Sequence, residues 1–130
     1  MGYYTELYLD CEIDSSLLND NEKEIVEYLF NTVCFDNDTP TNLSNHQFFK
    51  CPRWSMIGRG GSAYFDDIIP RTLTKNNNIW SIVSRSDFKN YDDEIELFLD
   101  WFTPFIIKKD DNCIGHQQGE ESEEPTLIYI

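Results

Sequence analysis

Positive charge is what this chain has least of. Ten Lys and Arg residues stand against 24 Asp and Glu, a formal net charge of −14 over 130 residues. A protein that holds nucleic acid by its phosphates needs clustered Lys and Arg, so direct nucleic-acid binding is not expected. Long apolar runs are missing too. No stretch approaches the ~20 apolar residues of a spanning helix, and no membrane association is expected. The opening MGYYTELYLDCEID has no basic segment followed by an apolar one, the pattern of a secretory leader. Glu6 stands where a myristoylation signal carries Ser or Thr. The chain therefore reads as cytoplasmic. Cys11, Cys34, Cys51 and Cys113 then stay reduced, and each is read as a small apolar residue.

What is present is enough for a core. The chain is 40% hydrophobic and 15% aromatic, so it meets the charge condition for disorder without meeting the low-hydrophobicity one. Its length suits one domain, 1–130, held without metal or disulfide staples. The charge is unevenly spread. Residues 1–38 hold ten acids and one base, Lys23; residues 39–91 hold three acids and seven bases; residues 92–130 hold eleven acids and two bases. Charge of one sign costs stability by self-repulsion and favours a partner of the other sign.

Hydrophobic periodicity predicts the elements. YTELYLDCEI alternates, with Leu7, Leu9, Cys11 and Ile13 on one face and Glu6, Tyr8, Asp10 and Glu12 on the other, the pattern of a half-buried strand. NDNEKEIVEYLFNTV predicts a helix opened by an Asn19–Glu22 capping pair, its apolar stripe formed by Ile25, Val26, Leu29, Phe30 and Val33. HQFFKCPRWSMIG reads as strand pieces broken at Pro52. GRGGSAYF reads as a turn joining two strands, since it lacks the lysine and serine of a phosphate cradle. DDIIPRTLTKNNN reads as a loop, and NIWSIVSRS as a strand. KNYDDEIELFLDWFTPFI is the clearest helix: Asn90 can cap it, Asp92, Asp93 and Glu94 fill the first turn, and Pro104 ends or kinks it. NCIGHQQ and PTLIYI read as strands flanking the GEESEE loop. The expected fold is α+β, a single mostly antiparallel sheet with two helices packed on one face.

Few constellations suggest chemistry. Cys113 and His116 have short ligand spacing, and His46 lies five positions before Cys51, yet the paired CxxC knuckle of a zinc site is absent. No flanking motif singles out a nucleophile. The DD pairs at 66–67, 92–93 and 110–111 read as turns and helix starts. No catalytic residue, metal site or cofactor is assigned.

NYDDEIELFLDWFTPFI and the tail EESEEPTLIYI resemble a family of small uncharacterised acidic bacterial and prophage proteins over the C-terminal third, from Asn90 on. The resemblance implies that the second helix and the last hairpin belong together, and it implies no activity. In size and charge the chain also resembles phage-encoded DNA mimics and anti-CRISPR inhibitors.

The charge is thus the feature left to interpret. Carboxylates on a folded, aromatic-rich scaffold can imitate duplex phosphates and pair with the Lys and Arg of a nucleic-acid groove. The candidate partner-binding residues are Glu6, Asp10 and Glu12 on the first strand, Glu22, Glu24 and Glu27 on the first helix, and Glu120, Glu121, Glu123 and Glu124 in the C-terminal loop. Tyr3, Tyr4 and Tyr8 add contact area. The expected function is inhibition of a basic nucleic-acid-handling enzyme, a nuclease or CRISPR effector, by occupying its nucleic-acid site. Alternatives are an immunity protein neutralising a bacterial toxin and a small Cys/His-dependent enzyme or metal-binding protein. A further question is whether Arg53, Arg59, Arg71 and Arg85 neutralise part of the acidic surface from within.

Overall fold

The computed structural model describes residues 3–31, 39–60 and 71–130. Strand β1 (Thr5–Asp14) is followed by helix α1 (Asp20–Phe30), strands β2 (Thr72–Asn76) and β3 (Ile79–Phe88), helix α2 (Glu94–Phe102), and strands β4 (Cys113–Gly119) and β5 (Thr126–Tyr129). The five strands form one sheet in the order β2-β3-β1-β4-β5, antiparallel throughout. With its two helices this is an α+β fold.

The alternation in β1 sets the layers. Leu7, Leu9 and Ile13 are fully buried and Cys11 nearly so. Their partners on β3, running from Ser86 to Trp80, line the same face. Ile25 and Leu29 of α1 and Ile95, Phe98 and Phe102 of α2 join these residues in one core cluster, so both helices lie on that face. α1 begins as its sequence predicts: the Asn19 side chain accepts from the Glu22 amide at 2.8 Å, and the Glu22 side chain accepts from the Asn19 amide at 2.9 Å. In α2, Phe98 and Phe102 stand one turn apart with ring centroids 4.7 Å apart, and Phe30 and Phe48 meet them edge-on or tilted.

Three expectations change. HQFFKCPRWSMIG forms no strand; it makes short 3₁₀ turns at Gln47–Lys50 and Trp54–Met56. Phe48 and Phe49 both turn inward and stack against Trp54 and Trp101, so consecutive side chains share one side, which a pleated strand forbids. Thr72–Asn76, expected as loop, is a strand: Leu73 pairs with Ile82, and Asn77 turns the hairpin with φ 54°. β3 supplies the pairing that the local composition does not announce. The N-cap of α2 is Asp93, in the left-handed region at φ 60°, not Asn90, although the Asn90 side chain still accepts from the Ile95 amide at 3.0 Å. Asp92 and Asp93 therefore precede the first turn, which Glu94 and Glu96 occupy. Gly58 and Arg59 lie in a turn that Gly60 follows, while the rest of GRGGSAYF and Asp66, Asp67 and Pro70 lie outside the described residues. Among the described residues no helix is long and apolar enough to cross a membrane.

A bulge between Cys113 and Gly115 lets β4 hold both neighbours. Gly115 has φ 150°, and a Cβ there would sit 1.9 Å from the Tyr8 carbonyl oxygen of the central strand. Gly115→Ala is therefore expected to destabilise the protein by at least about 2 kcal/mol. Denaturant unfolding checks this, and a change within about 0.5 kcal/mol would contradict it.

Candidate functional site

The face of the sheet away from the helices carries the even-numbered side chains of β1. Cross-strand pairing sets them in rows: Asp87, Glu6 and Gln118; Arg85, Tyr8 and His116; Val83 and Asp10; Ser81 and Glu12. Apart from Val83, the residues in these rows are polar or aromatic, so charge gathers on this outer face where apolar residues gather on the other.

Glu6 is the centre of the arrangement. It is 3% exposed. Its Oε1 lies 3.1 Å from Arg85 Nε and 3.3 Å from His116 Nε2. The His116 ring stacks on Tyr8, centroids 5.2 Å apart and planes 22° apart. Asp87, across the ladder from Glu6, is 4% exposed, and its Oδ1 has no hydrogen-bond partner among the described residues. Burial, and then the neighbouring Glu6 carboxylate, push the Asp87 carboxyl up to about 6, with Arg85 opposing the rise.

The other candidates differ in how they are matched. Glu12 lies 2.5 Å from Lys109 Nζ and accepts from the Ser81 hydroxyl at 3.3 Å. These bonds, chiefly the one from Lys109, hold its carboxyl below the usual range. Glu27 pairs with Lys75, whose ammonium also lies 4.6 Å from the Trp80 ring centroid. Glu22 is engaged in the helix cap. Glu120 is half-buried and clamped to the chain start: its Oε1 accepts from the Tyr4 amide at 3.1 Å, and its own amide donates to the Tyr4 carbonyl at 3.0 Å. Asp10, Glu24, Glu121, Glu123 and Glu124 are exposed; no ion pair reaches them among the described residues.

The ten carboxylates thus fall on two layers. Glu22, Glu24 and Glu27 ride on α1, behind the core, while Glu6, Asp10 and Glu12 lie on the outer face of β1. Glu120–Glu124 form the turn between β4 and β5, at one end of that outer face. Asp110 and Asp111, which the sequence reading took only as turn residues, are exposed near the opposite end. An open groove of about 360 Å³ lies beside the 110–111 turn, lined by Tyr8, Asp10, Lys109, Asp111, His116 and Leu127 among others. Sequence spacing had no means of placing Asp111 beside Asp10; the fold brings both to the lining of this groove.

The chain's own bases answer part of the charge. Arg85 takes Glu6, and Arg53 lies 2.8 Å from Asp92 and 3.1 Å from Glu94, which is fully buried. Arg59 donates to the Tyr28 carbonyl and lies 4.0 Å from the Tyr28 ring centroid; Arg71 donates to the Asn31 carbonyl. These contacts place Arg53 and Arg59 against the elements beside the helices, not at the β4–β5 turn.

The cysteine and histidine groups separate in the same way. His46 and Cys51 flank the Gln47–Lys50 turn on the helix side, whereas Cys113 and His116 sit on β4. Among the described residues no three His, Cys, Asp or Glu side chains come together as a metal set. His46 Nδ1 accepts from the Phe48 amide at 3.1 Å, so Nε2 bears the proton it shares with Asp100 at 2.8 Å. Both ring nitrogens are then in use. Burial pushes the Cys11 thiol up to about 12 and raises that of Cys51, which disfavours the thiolate a nucleophile needs. Cys34 lies outside the described residues.

Comparison of the chain with protein-family models, with curated proteins and with solved structures found no match.

The buried Asp87 carries a pH prediction. Its folded-state value, about 6, exceeds its ordinary 3.8, so the folded protein binds more protons than the unfolded chain between these values. Its contribution is full below pH about 4 and is lost as pH rises through about 6, by roughly 3 kcal/mol. Asp87→Asn is expected to remove this fall and to stabilise the protein at neutral pH. Unfolding free energies measured across that range check it; an unchanged pH profile in the variant would contradict it.

Proposed function

We propose that the protein is an acidic binding protein that inhibits a basic nucleic-acid-handling enzyme, a nuclease or CRISPR effector, by occupying its nucleic-acid site. One observation carries the reading. Asp10, Glu121, Glu123 and Glu124 stand exposed at the β4–β5 side of the outer face without an ion pair among the described residues, while Glu6, Glu12 and Glu27 are matched internally. Asp20 and Glu24 at α1 and Asp93 and Glu96 at α2 are exposed without an ion pair among the described residues as well, so what sets the sheet side apart is that Asp10 and Asp111 line an open groove there.

Such a region attracts a cationic groove over a Debye length of about 10 Å at ~0.1 M salt. It gains further from releasing the counterions that the groove holds when empty. No bond is made or broken in this mechanism. The inhibitor competes with nucleic acid for the same Lys and Arg side chains, so tight nucleic-acid binding and inhibition exclude each other. Glu6 contributes indirectly: by holding Arg85 and His116 it keeps the outer face of β1 fixed beneath the groove.

The reading predicts competition with a salt dependence. The protein should displace labelled DNA from its target nuclease at low salt and do so poorly at high salt. Reversing Glu121, Glu123 and Glu124 to Lys should weaken displacement by about tenfold or more. Reversing Glu22 and Glu24 on α1 should leave it nearly unchanged. Displacement indifferent to ionic strength, or equal losses from the two reversals, would contradict the proposal. Capture of a target whose DNA does not compete would favour neutralisation of a toxin away from its nucleic-acid site.

A further inference from the structure

We infer that β5 is a docking edge that takes an extended cationic segment of the partner as a sixth strand. The inference rests on the binding reading above and specifies how the partner is held. β5 ends the sheet, and among the described residues nothing pairs with its outer edge. Soluble proteins usually blunt such an edge with lysine, proline or a bulge turned outward. The other edge strand, β2, carries Lys75, held by Glu27 and lying over Trp80. Thr126–Tyr129 carries no charge and no proline. Its Leu127 and Tyr129 side chains are 51% and 61% exposed. Pro125 precedes the strand and its four residues keep it short, yet within that length an apolar edge is left uncovered among the described residues.

Charge decides what can cover it. Glu121, Glu123 and Glu124 precede β5. The turn holding Asp110 and Asp111 lies at its other end, where the Asn112 carbonyl accepts from the Ile130 amide at 3.0 Å. A four-residue strand spans about 13 Å, so Glu121, Glu123 and Glu124 stand at one end of the edge, while at the other Asp110 and Asp111 follow Lys108 and Lys109. A second copy pairing antiparallel would set the Glu121–Glu124 turn of one chain against Asp110 and Asp111 of the other. Parallel pairing would oppose each group to itself. Parallel pairing places like charges across the new ladder, and either arrangement joins two chains of net charge −14. The matching occupant is apolar in the middle and cationic at the end that meets Glu121, Glu123 and Glu124. Strand addition supplies main-chain hydrogen bonds for affinity, and alternate side chains supply specificity.

The test uses the intact protein and synthetic peptides of alternating Val and Thr, ended on both sides with lysine or with glutamate. The lysine-ended peptide is expected to bind at least about tenfold more tightly by fluorescence anisotropy. In the complex, NMR should show cross-strand contacts between peptide Hα atoms and Thr126–Tyr129. Methylating alternate peptide amides on the paired side should abolish binding, because charge remains while the ladder cannot form. The inference is overturned if the lysine-ended peptide does not bind, if the methylated peptide binds equally well, or if contacts map elsewhere. It is also overturned if the protein alone dimerises through β5. If DNA displacement follows the salt and charge-reversal pattern while β5 shows no pairing, the inhibitor reading stands and the edge inference falls. If the peptide pairs with β5 and no nuclease is displaced from DNA, the reverse holds.

Discussion

The two-residue alternation of β1 is the constraint on which the rest depends. β1 lies between β3 and β4 in the sheet, so its pleat is imposed on both neighbours. A one-residue slip would bring Glu6, Asp10 and Glu12 under the helices and expose Leu7, Leu9 and Ile13. The apolar side recruits α1, α2 and the aromatic cluster around Phe98. The polar side collects acids from β1, Arg85 and Asp87 from β3, and His116 from β4. Core and charged face are thus two consequences of one pattern.

A chain with a net charge of −14 folds by committing its few bases to particular acids. Arg85, Lys109, Lys75 and Arg53 meet Glu6, Glu12, Glu27 and the Asp92–Glu94 pair. The two buried carboxylates among these, Glu6 and Glu94, are the ones that lose most if unmatched, since a lone buried charge is far costlier than an exposed one. Exposed pairs such as Glu12–Lys109 contribute little to stability. They leave unmatched charge at the β4–β5 turn and the 110–111 turn, as they do on α1 and α2. Self-repulsion there is relieved by solvent, and a cationic partner would relieve it further.

Much of the fold was legible in the sequence wherever a local pattern coincided with a tertiary one. β1, α1 with its capping box, β3, α2 and the β4–β5 hairpin all follow from periodicity and caps. What local pattern could not supply was context. Phe48, Phe49 and Trp54 look like strand residues until α2 offers an aromatic surface that consecutive side chains can share. Thr72–Asn76 looks like loop until β3 pairs with it. The candidate site was legible only as a list of acids. The spacing of Glu6, Glu12 and Glu27 says nothing of the bases that reach them from distant segments, and nothing in the composition around Asp87 marks it as buried. Asp111 joins Asp10 only through the fold, in the lining of one groove.

The proposed binding mode joins these points. The helix layer closes one face of the sheet, the matched acids stiffen the other, and unmatched acids stand beside an uncovered edge. The most direct measurement is hydrogen exchange of the protein free and bound to a cationic nuclease that it displaces from DNA. The account predicts new protection in β4, β5 and the turns at 109–112 and 120–125, with α1 and β2 unchanged. Protection centred on α1, or none on the β4–β5 side, would contradict it.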